Sequence, residues 1–460
     1  MKLRTFWHGV LTIVTLIICY GMFYMARLLI AAAADKMIET WTDERGEESS
    51  ESSTEESFPI LIDGETFTSH FESKEEADEF VENLKEATYF SSNALGLFAG
   101  GALGDIFEPR IVLSIGLVAS GVSLIFYGFL PETVHFFSKP YLIVTCALIG
   151  FFGGFGWPNI VKIVIAWRPE RKSLAFTMML FALGEYSGRS LLSNHFITFE
   201  DYGFEFAFLA VGSVLVAYSF VIYFGIVESV KEMRFYVPQN GHSDEHHKHF
   251  NLNLSGYQLY LEISMFSASL LLIRMVDFEL FYYNPQLYQL GTVLAGITEG
   301  ALSDFIGSRS PIVGILMTIS LITMIAGYSG KSDASILVTT AVGITIEGAV
   351  DLIQGVIASE IGMAATKSNN INRVGLVTGI ISFFGAVGLA AGRIYGPIVF
   401  KHHGFQTTCY IFAACNSLAI IVLVKRILPD VRSFIRSAKR HFERNTASKK
   451  EDAQMAEHRF

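Results

Sequence analysis

GALGDIFEPR, residues 101–110, and GALSDFIGSR, residues 300–309, each close a long apolar run, and they lie about 200 residues apart. A string repeated at that distance marks an internal duplication, a common way of building multi-span membrane folds. Each copy leaves the bilayer at a charged turn. Composition agrees: 51% of the residues are apolar, 39 are Phe and only 17% are charged, with a mean hydropathy of +0.42. That is not the balance of a soluble enzyme.

Reading outward from the two strings, apolar runs of membrane length fall near Trp7–Ile30, Ala87–Gly104, Ile111–Leu130, Tyr141–Trp167, Ser173–His195 and Phe204–Ile226. After a polar stretch they resume near Tyr257–Tyr283, Gln286–Ser303, Pro311–Tyr328, Ser335–Gly362, Val374–Phe400 and Thr407–Val424. The pattern predicts an all-α membrane protein of twelve transmembrane helices in two six-helix bundles related by a pseudo-two-fold axis. The first bundle spans 1–227 and contains a long acidic loop, 32–86. A connector, 228–255, leads to the second bundle, 256–427, and a basic, charged tail fills 428–460. The first span is too long for a cleaved signal peptide and lacks a small-residue cleavage site.

Orientation follows from Lys and Arg in short loops. Lys2, Arg4, Arg110, Arg168, Arg171, Lys172, Lys231, Arg234, Arg309, Lys367, Arg373 and the tail after Lys425 share one side. Both termini, the connector and the tail are therefore expected in the cytoplasm, and the acidic loop on the opposite side. The net charge of −10 reflects that loop, where the acid is concentrated in Glu39–Phe58 and the Ser/Glu tract reads as disordered. The next stretch, SKEEADEFVENLKEATYF, has a helical period with Phe80, Val81 and Leu84 on one face. In the connector, His242, His246, His247 and His249 could hold a metal or form a solvated linker; the linker is the reading adopted, and no metal or cofactor is expected. The sequon at Asn253 falls on the cytoplasmic side and is expected to be unused. Cys19, Cys146, Cys409 and Cys415 sit inside apolar runs without metal or disulfide spacing, which predicts packing residues. There is no nucleophile elbow, phosphate loop or nucleic-acid-binding composition, so neither an enzyme nor a nucleic-acid partner is expected. The partners expected are the lipid bilayer and a small molecule, and a monomer is sufficient.

Two six-helix halves with GxLxD strings after the second and eighth spans resemble the major facilitator superfamily. In that family the loop motif forms charge contacts that break and re-form as the halves rock, which assigns gating to Asp105 with Arg110 and to Asp304 with Arg309. The second copy matches the pattern through Gly300, Leu302, Asp304, Gly307 and Arg309, whereas the first has Glu108 where glycine is usual. Within the first half, GFGWPNIVKIVIAW in the fourth span, PETVHFFSKPYL before it and YGFEFAFL at the sixth resemble the sugar-phosphate exchangers of solute carrier family 37. These are organophosphate:phosphate antiporters. VTGIISFFGAVGLAAG in the eleventh span is similar to the same family. The resemblance implies exchange of an organic phosphate for inorganic phosphate by alternating access. It favours the endoplasmic reticulum or another internal membrane, with the plasma membrane as the alternative.

Intramembrane charges carry the chemistry. Each costs roughly 2.5–3.5 kcal/mol at a helix centre, so about ten facing lipid would cost some 25–35 kcal/mol. Arg27, Lys162, Glu185, Arg189, Arg274, Asp277, Glu279, Glu347, Asp351 and Arg393 must therefore line a watery cavity or pair with one another. The resemblance puts phosphate-binding arginines at Arg27 and Arg274, on spans equivalent by the duplication. Two guanidinium forks facing each other would neutralise a phosphate dianion. Tyr20 and Tyr24 share a helical face with Arg27, Trp157 matches the tryptophan of the family's GWP string, and Asn159 and Lys162 follow it in the fourth span. Leu28 stands where the exchangers place a second basic residue, and Leu97 and Gly184 where bacterial members carry a lysine and a histidine.

Glu185, Arg189, Glu347, Asp351 and Arg393 are candidates for coupling or specificity. Glu185 precedes Arg189 by four residues, the spacing of an intrahelical ion pair. Glu347 and Asp351, also four apart, repel when both are ionised, so one carries a proton, or a cation such as Lys162 or a substrate amine sits between them. Pairing with Arg189 or Arg393 is the other possibility. Arg27 could instead snorkel, and Arg274 could pair with Asp277. Two further readings stay open: transport of an amino acid or other carboxylated or zwitterionic solute, proton-coupled or not, and a non-transporting receptor or scaffold.

Overall fold

The computed structural model describes residues 2–42, 71, 73–134, 138–167, 173–200, 203–227, 256–276, 285–327, 332–369 and 371–457. The Ser/Glu tract, the His-rich connector with its sequon, and Asp277 and Glu279 lie outside these residues. Among the described residues the regular elements are all helical. The first half runs α1 (Lys2–Ala32), α2 (Ala34–Thr42), α3 (Lys74–Glu82), α4 (Tyr89–Ile106), α5 (Pro109–Val134), α6 (Lys139–Gly153), α7 (Gly156–Trp167), α8 (Leu174–Met179), α9 (Phe181–Glu200) and α10 (Phe204–Gly225). The second half runs α11 (Gly256–Arg274), α12 (Pro285–Ile306), α13 (Ser310–Gly327), α14 (Ser332–Asp351), α15 (Ala358–Asn369) and α16 (Val374–Glu457).

Eight stretches among the described residues are long and apolar enough to cross a membrane: Phe6–Thr42, Pro109–Pro131, Lys139–Trp167, Phe204–Gly225, Gly256–Arg274, Thr340–Ser368, Val374–Gly404 and Thr407–Arg432. The chain is an integral multi-pass membrane protein. The remaining expected spans are helices too, but α4 is diluted by Gly, Ser and Asn. α9 carries Glu185 and Arg189, α12 carries Glu299 and Asp304, and the apolar part of α13, Ser310–Ile325, is short. Helices of that composition are held by packing against neighbours rather than by contact with lipid.

Several expected spans are interrupted. The fourth divides into α6 and α7 at Gly154, where a Cβ would collide with the backbone of α4 at Leu97 and Asn93. The tenth runs from α14 into α15 through a π-helical turn, Leu352–Ile357. α16 leaves helical geometry at Gly404 (φ 75°, ψ 172°), which separates the last two spans, and its helix continues through the tail to Glu457.

Part of the segment expected as a loop, 32–86, is folded. The N-cap Ser73 hydroxyl accepts from the Glu76 N–H at 3.2 Å and starts α3, and a π-helical turn, Asn83–Thr88, joins α3 to α4. The heptad-like spacing of Met37, Ile38 and Trp41 gives α2 an apolar face that needs cover. Ala77, Val81 and Leu84 supply part of that buried core. Trp41 stacks on Phe71 with centroids 6.2 Å apart, and Phe71 meets Phe80 at 5.5 Å. Lys139 lies 4.3 Å from the Phe71 ring and 2.7 Å from Glu76. These contacts form a cap at one end of the helices.

The halves meet along two equivalent seams, α4 against α16 and α12 against α8. Glycines of the duplicated strings make both possible. A Cβ at Gly101 would run into the Gly375 carbonyl, and one at Gly300 would lie 2.8 Å from the Phe176 Cα. Backbones this close require a residue without a side chain.

Candidate functional site

Between the halves lies a cavity of about 120 Å³. The α2–α3 cap is at one end, and the turns carrying Asp105 and Asp304 are at the other. α1 contributes Tyr20, Tyr24 and Arg27, α4 contributes Phe90 and Asn93, and Trp157 starts α7. Glu185, Arg274, Gln354 and Ser382 complete the polar lining. Tyr20, Tyr24, Arg27, Trp157, Glu185 and Arg274 are thus brought together as residues from both halves.

The two arginines differ in state. The Arg27 guanidinium lies 4.4 Å from the Phe90 ring and 5.3 Å from the Tyr24 ring, and no carboxylate among the described residues pairs with it. Aromatic faces offset part of the cost of a buried cation, but far less than an anion would. Arg274, in contrast, donates through Nη1 to Glu347 Oε1 of α14 at 2.8 Å.

An aromatic and acidic wall faces them. The Tyr20 hydroxyl donates to Glu185 Oε1 at 2.8 Å, and its ring packs against Trp157 and Phe181 at 5.1 and 5.9 Å. Arg189 Nη2 donates to the Tyr24 hydroxyl at 3.4 Å. Trp157 Nε1 donates across the halves to the Gln354 carbonyl at 3.3 Å. Gln354 sits in the π-helical turn, where carbonyls are displaced from the regular i→i−4 ladder and can accept from outside. Its amide donates to Asp351 Oδ1 at 3.2 Å. Glu347 and Asp351 thus take Arg274 and Gln354 as partners.

At the turn end, the two duplicated aspartates do the same thing in opposite directions. Asp105 accepts from the N–H groups of Gly375 (3.0 Å) and Leu376 (2.7 Å) at the start of α16. Asp304 accepts from Ala175 (3.2 Å) and Phe176 (2.8 Å) at the start of α8. Each carboxylate caps the opposite half's helix, where free N–H groups and the helix dipole favour negative charge. Arg309 Nη2 holds Asp304 at 2.9 Å and its Nε lies 3.5 Å from Glu360.

In the first copy the expected contact is replaced. Arg110 pairs with Glu108 at 2.7 Å, the residue standing where glycine is usual, and Lys162 takes its place, 3.3 Å from Asp105 and donating to the Gly104 carbonyl. Lys162 thus belongs to the turn-end latch and not to the cavity wall. Asn159 is also drawn away from the cavity, donating to the carbonyls of Gly100 (3.1 Å) and Phe155 (2.8 Å) to tie α7 to α4.

At the cap end Arg393 Nη1 lies 3.2 Å from the buried Glu86 carboxylate; its guanidinium also lies 5.0 Å from Phe90. Contacts between the halves thus bridge both ends of the cavity. Glu86 falls in the segment expected as loop, one residue before the apolar run; the π-helical turn brings it inward. The neutral lining residues Phe90, Asn93 and Ser382 carry no sequence signal that separates them from ordinary packing.

Comparison with known proteins agrees with this architecture. Residues 86–283 match the Major Facilitator Superfamily model. Sugar phosphate exchanger 3 of Xenopus laevis is 23% identical over 434 residues, covering 82% of this chain and 85% of that protein. The human protein of the same name is 22% identical and covers 95% of this chain and 96% of its own length. The glucose-6-phosphate exchanger SLC37A2 of Xenopus laevis is 22% identical over 76% of this chain and 80% of its own. Among solved structures, the proton:xylose symporter XylE superposes with a TM-score of 0.63 at 13% identity, covering 91% of this chain and 96% of XylE. The human organic anion transporter MFSD10 gives 0.54 at 15%, covering 90% and 99%. The fold is that of the major facilitator superfamily, and the sequence resemblance to sugar-phosphate exchangers holds across most of the chain.

Proposed function

We propose that this chain is a secondary transporter that exchanges an organic phosphate, in particular a sugar phosphate, for inorganic phosphate by alternating access. The observation that carries the reading is Arg27, which makes no ion pair with a carboxylate among the described residues and lines a cavity whose two ends are bridged by contacts between the halves. A phosphoryl group satisfies it with bidentate, charge-assisted hydrogen bonds. A dianion also competes with Glu347 for Arg274, so substrate binding draws the two halves onto one ligand. The aromatic wall of Tyr20 and Trp157 offers apolar surface to the organic part.

Alternation follows from the latches. Breaking the Asp105 and Asp304 contacts opens the turn end while the Arg393–Glu86 bridge holds the cap end, and the reverse opens the cap end. The Lys and Arg bias of the short loops puts the turn end and both termini in the cytoplasm, and the resemblance favours the endoplasmic reticulum or another internal membrane. A monomer contains the whole site. Glu185 on the cavity wall favours a second reading, a zwitterionic solute whose carboxylate takes Arg27 and whose amine takes the acid.

Purified protein in liposomes preloaded with phosphate should take up radiolabelled phosphate by counterflow, and external sugar phosphate should compete. Amino acid uptake without phosphate self-exchange would replace the first reading by the second.

A further inference from the structure

One buried charge has no part in this scheme. Glu299, on α12, is 5% exposed, and neither carboxylate oxygen has a hydrogen-bond partner among the described residues. The room it occupies is provided by Gly348 on α14, where a Cβ would overlap the carboxylate. An ionised carboxylate without donors is not stable in such a place, whereas a neutral carboxyl is.

Among the described residues, the surrounding groups offer no compensating cation. On α14 the flanking acids are Glu347, held by Arg274, and Asp351, held by the Gln354 amide. From the other half, Ala175, Phe176, Met179 and Ala182 of α8 and α9 pack against Gly296 and Gly300, and none of them titrates. Arg309, further along the chain after α12, is engaged by Asp304 and Glu360.

Glu299 lies between Gly296 and Gly300, the glycines through which α12 presses on the backbone of α8. It is also one turn from Asp304, the latch on the same seam. Parting that seam admits water beside the carboxyl.

We propose that Glu299 is a proton-binding site that couples closure of the turn end to proton uptake. Closed, the carboxyl is neutral; when the seam parts, it gives its proton to entering water and ionises. The carboxylate must take a proton back from solvent before α12 can dock again. The inference rests on the alternating-access reading, but it assigns a ligand, the proton, and a residue outside the phosphate site.

The test is phosphate self-exchange in liposomes with equal pH on both sides, stepped from neutral to alkaline. Wild type should lose rate by about tenfold per pH unit once the carboxyl ionises in the open state, the slope for one proton. Glu299→Gln, which stays neutral, should lack that decline, while the titration of phosphate itself affects both proteins alike. Glu299→Asp, which keeps a carboxyl on a shorter arm, should retain the decline at a shifted pH and serves if the glutamine variant does not fold. An unchanged alkaline decline in Glu299→Gln, or an unshifted one in Glu299→Asp, overturns the proposal. Infrared difference spectra of the detergent-solubilised protein provide a readout independent of transport. Wild type should show a protonated-carboxyl band that Glu299→Gln lacks, and identical spectra overturn the proposal. Absence of phosphate exchange in the wild type would sink the transport reading instead, leaving the infrared band to decide Glu299.

Discussion

Arg27→Ala should lower phosphate self-exchange at sub-saturating phosphate by roughly 100-fold or more, a larger loss than any other cavity substitution. Truncating one partner of a buried, hydrogen-bonded charge pair costs about 2–5 kcal/mol, and about 1.4 kcal/mol is a factor of ten. The effect is large at Arg27 because no carboxylate among the described residues forms an ion pair with it, which leaves its guanidinium hydrogen bonds available to the ligand. Arg27→Lys keeps the charge but loses the planar fork and should recover only part of the rate. Arg274→Ala should be less damaging, because in the closed state this arginine already spends a hydrogen bond on Glu347 at 2.8 Å. Glu347→Gln separates the two cases: with the competing carboxylate gone, Arg274 is released to the ligand and apparent phosphate affinity should rise. Equal rates for wild type and Arg27→Ala would remove phosphate from the cavity and leave the acids of α9 and α14 as the ligand-binding groups.

Which parts of this could be read from the chain depends on what symmetry preserves. Two GALxD strings disclosed the duplication, and with it the equivalence of Arg27 and Arg274, because a repeat conserves the position of a residue along its span. Partners are different. Lys162 lies on the span of Trp157, yet it reaches Asp105, because depth in the membrane, and not helical face alone, decides which charges meet. Glu108 diverts Arg110, a local competition that the gating pattern alone does not disclose. Glu86 looked like loop because a π-helical turn follows a polar helix there, and hydropathy has no signature for such a turn. Glu299 was legible in principle, being a carboxylate inside the eighth apolar run. Its place next to Gly300, at the charged end of that run, gives no sign of enclosure. Only the glycine on α14 shows that it is enclosed.

Removing both turn-end latches, with Asp105→Ala and Asp304→Ala combined, should shift the protein toward a state open at that end by at least about 30-fold. Hydrogen bonds to a charged acceptor contribute about 1.5–3 kcal/mol each, but an open state returns both carboxylates to water, so a net of about 1–3 kcal/mol per latch is the reasonable figure. The two latches join different helices and share no partner, so their contributions should add, to about 2–6 kcal/mol. Asp105→Ala alone should exceed Asp304→Ala in its effect on folding yield, because it leaves Lys162 with the Gly104 carbonyl but no carboxylate, whereas Arg309 keeps Glu360 at 3.5 Å. The measurement is the labelling rate of Ser382→Cys, a cavity position, by a membrane-impermeant maleimide, corrected for the native cysteines with the parent protein. Labelling from the turn end should accelerate in the double variant, and saturating phosphate should slow it less than in wild type, because the closed state that phosphate favours has lost its latches. If labelling stayed at the wild-type rate, closure would have to depend on the glycine seams at Gly101 and Gly300. The aspartates would then only orient the helix ends they cap.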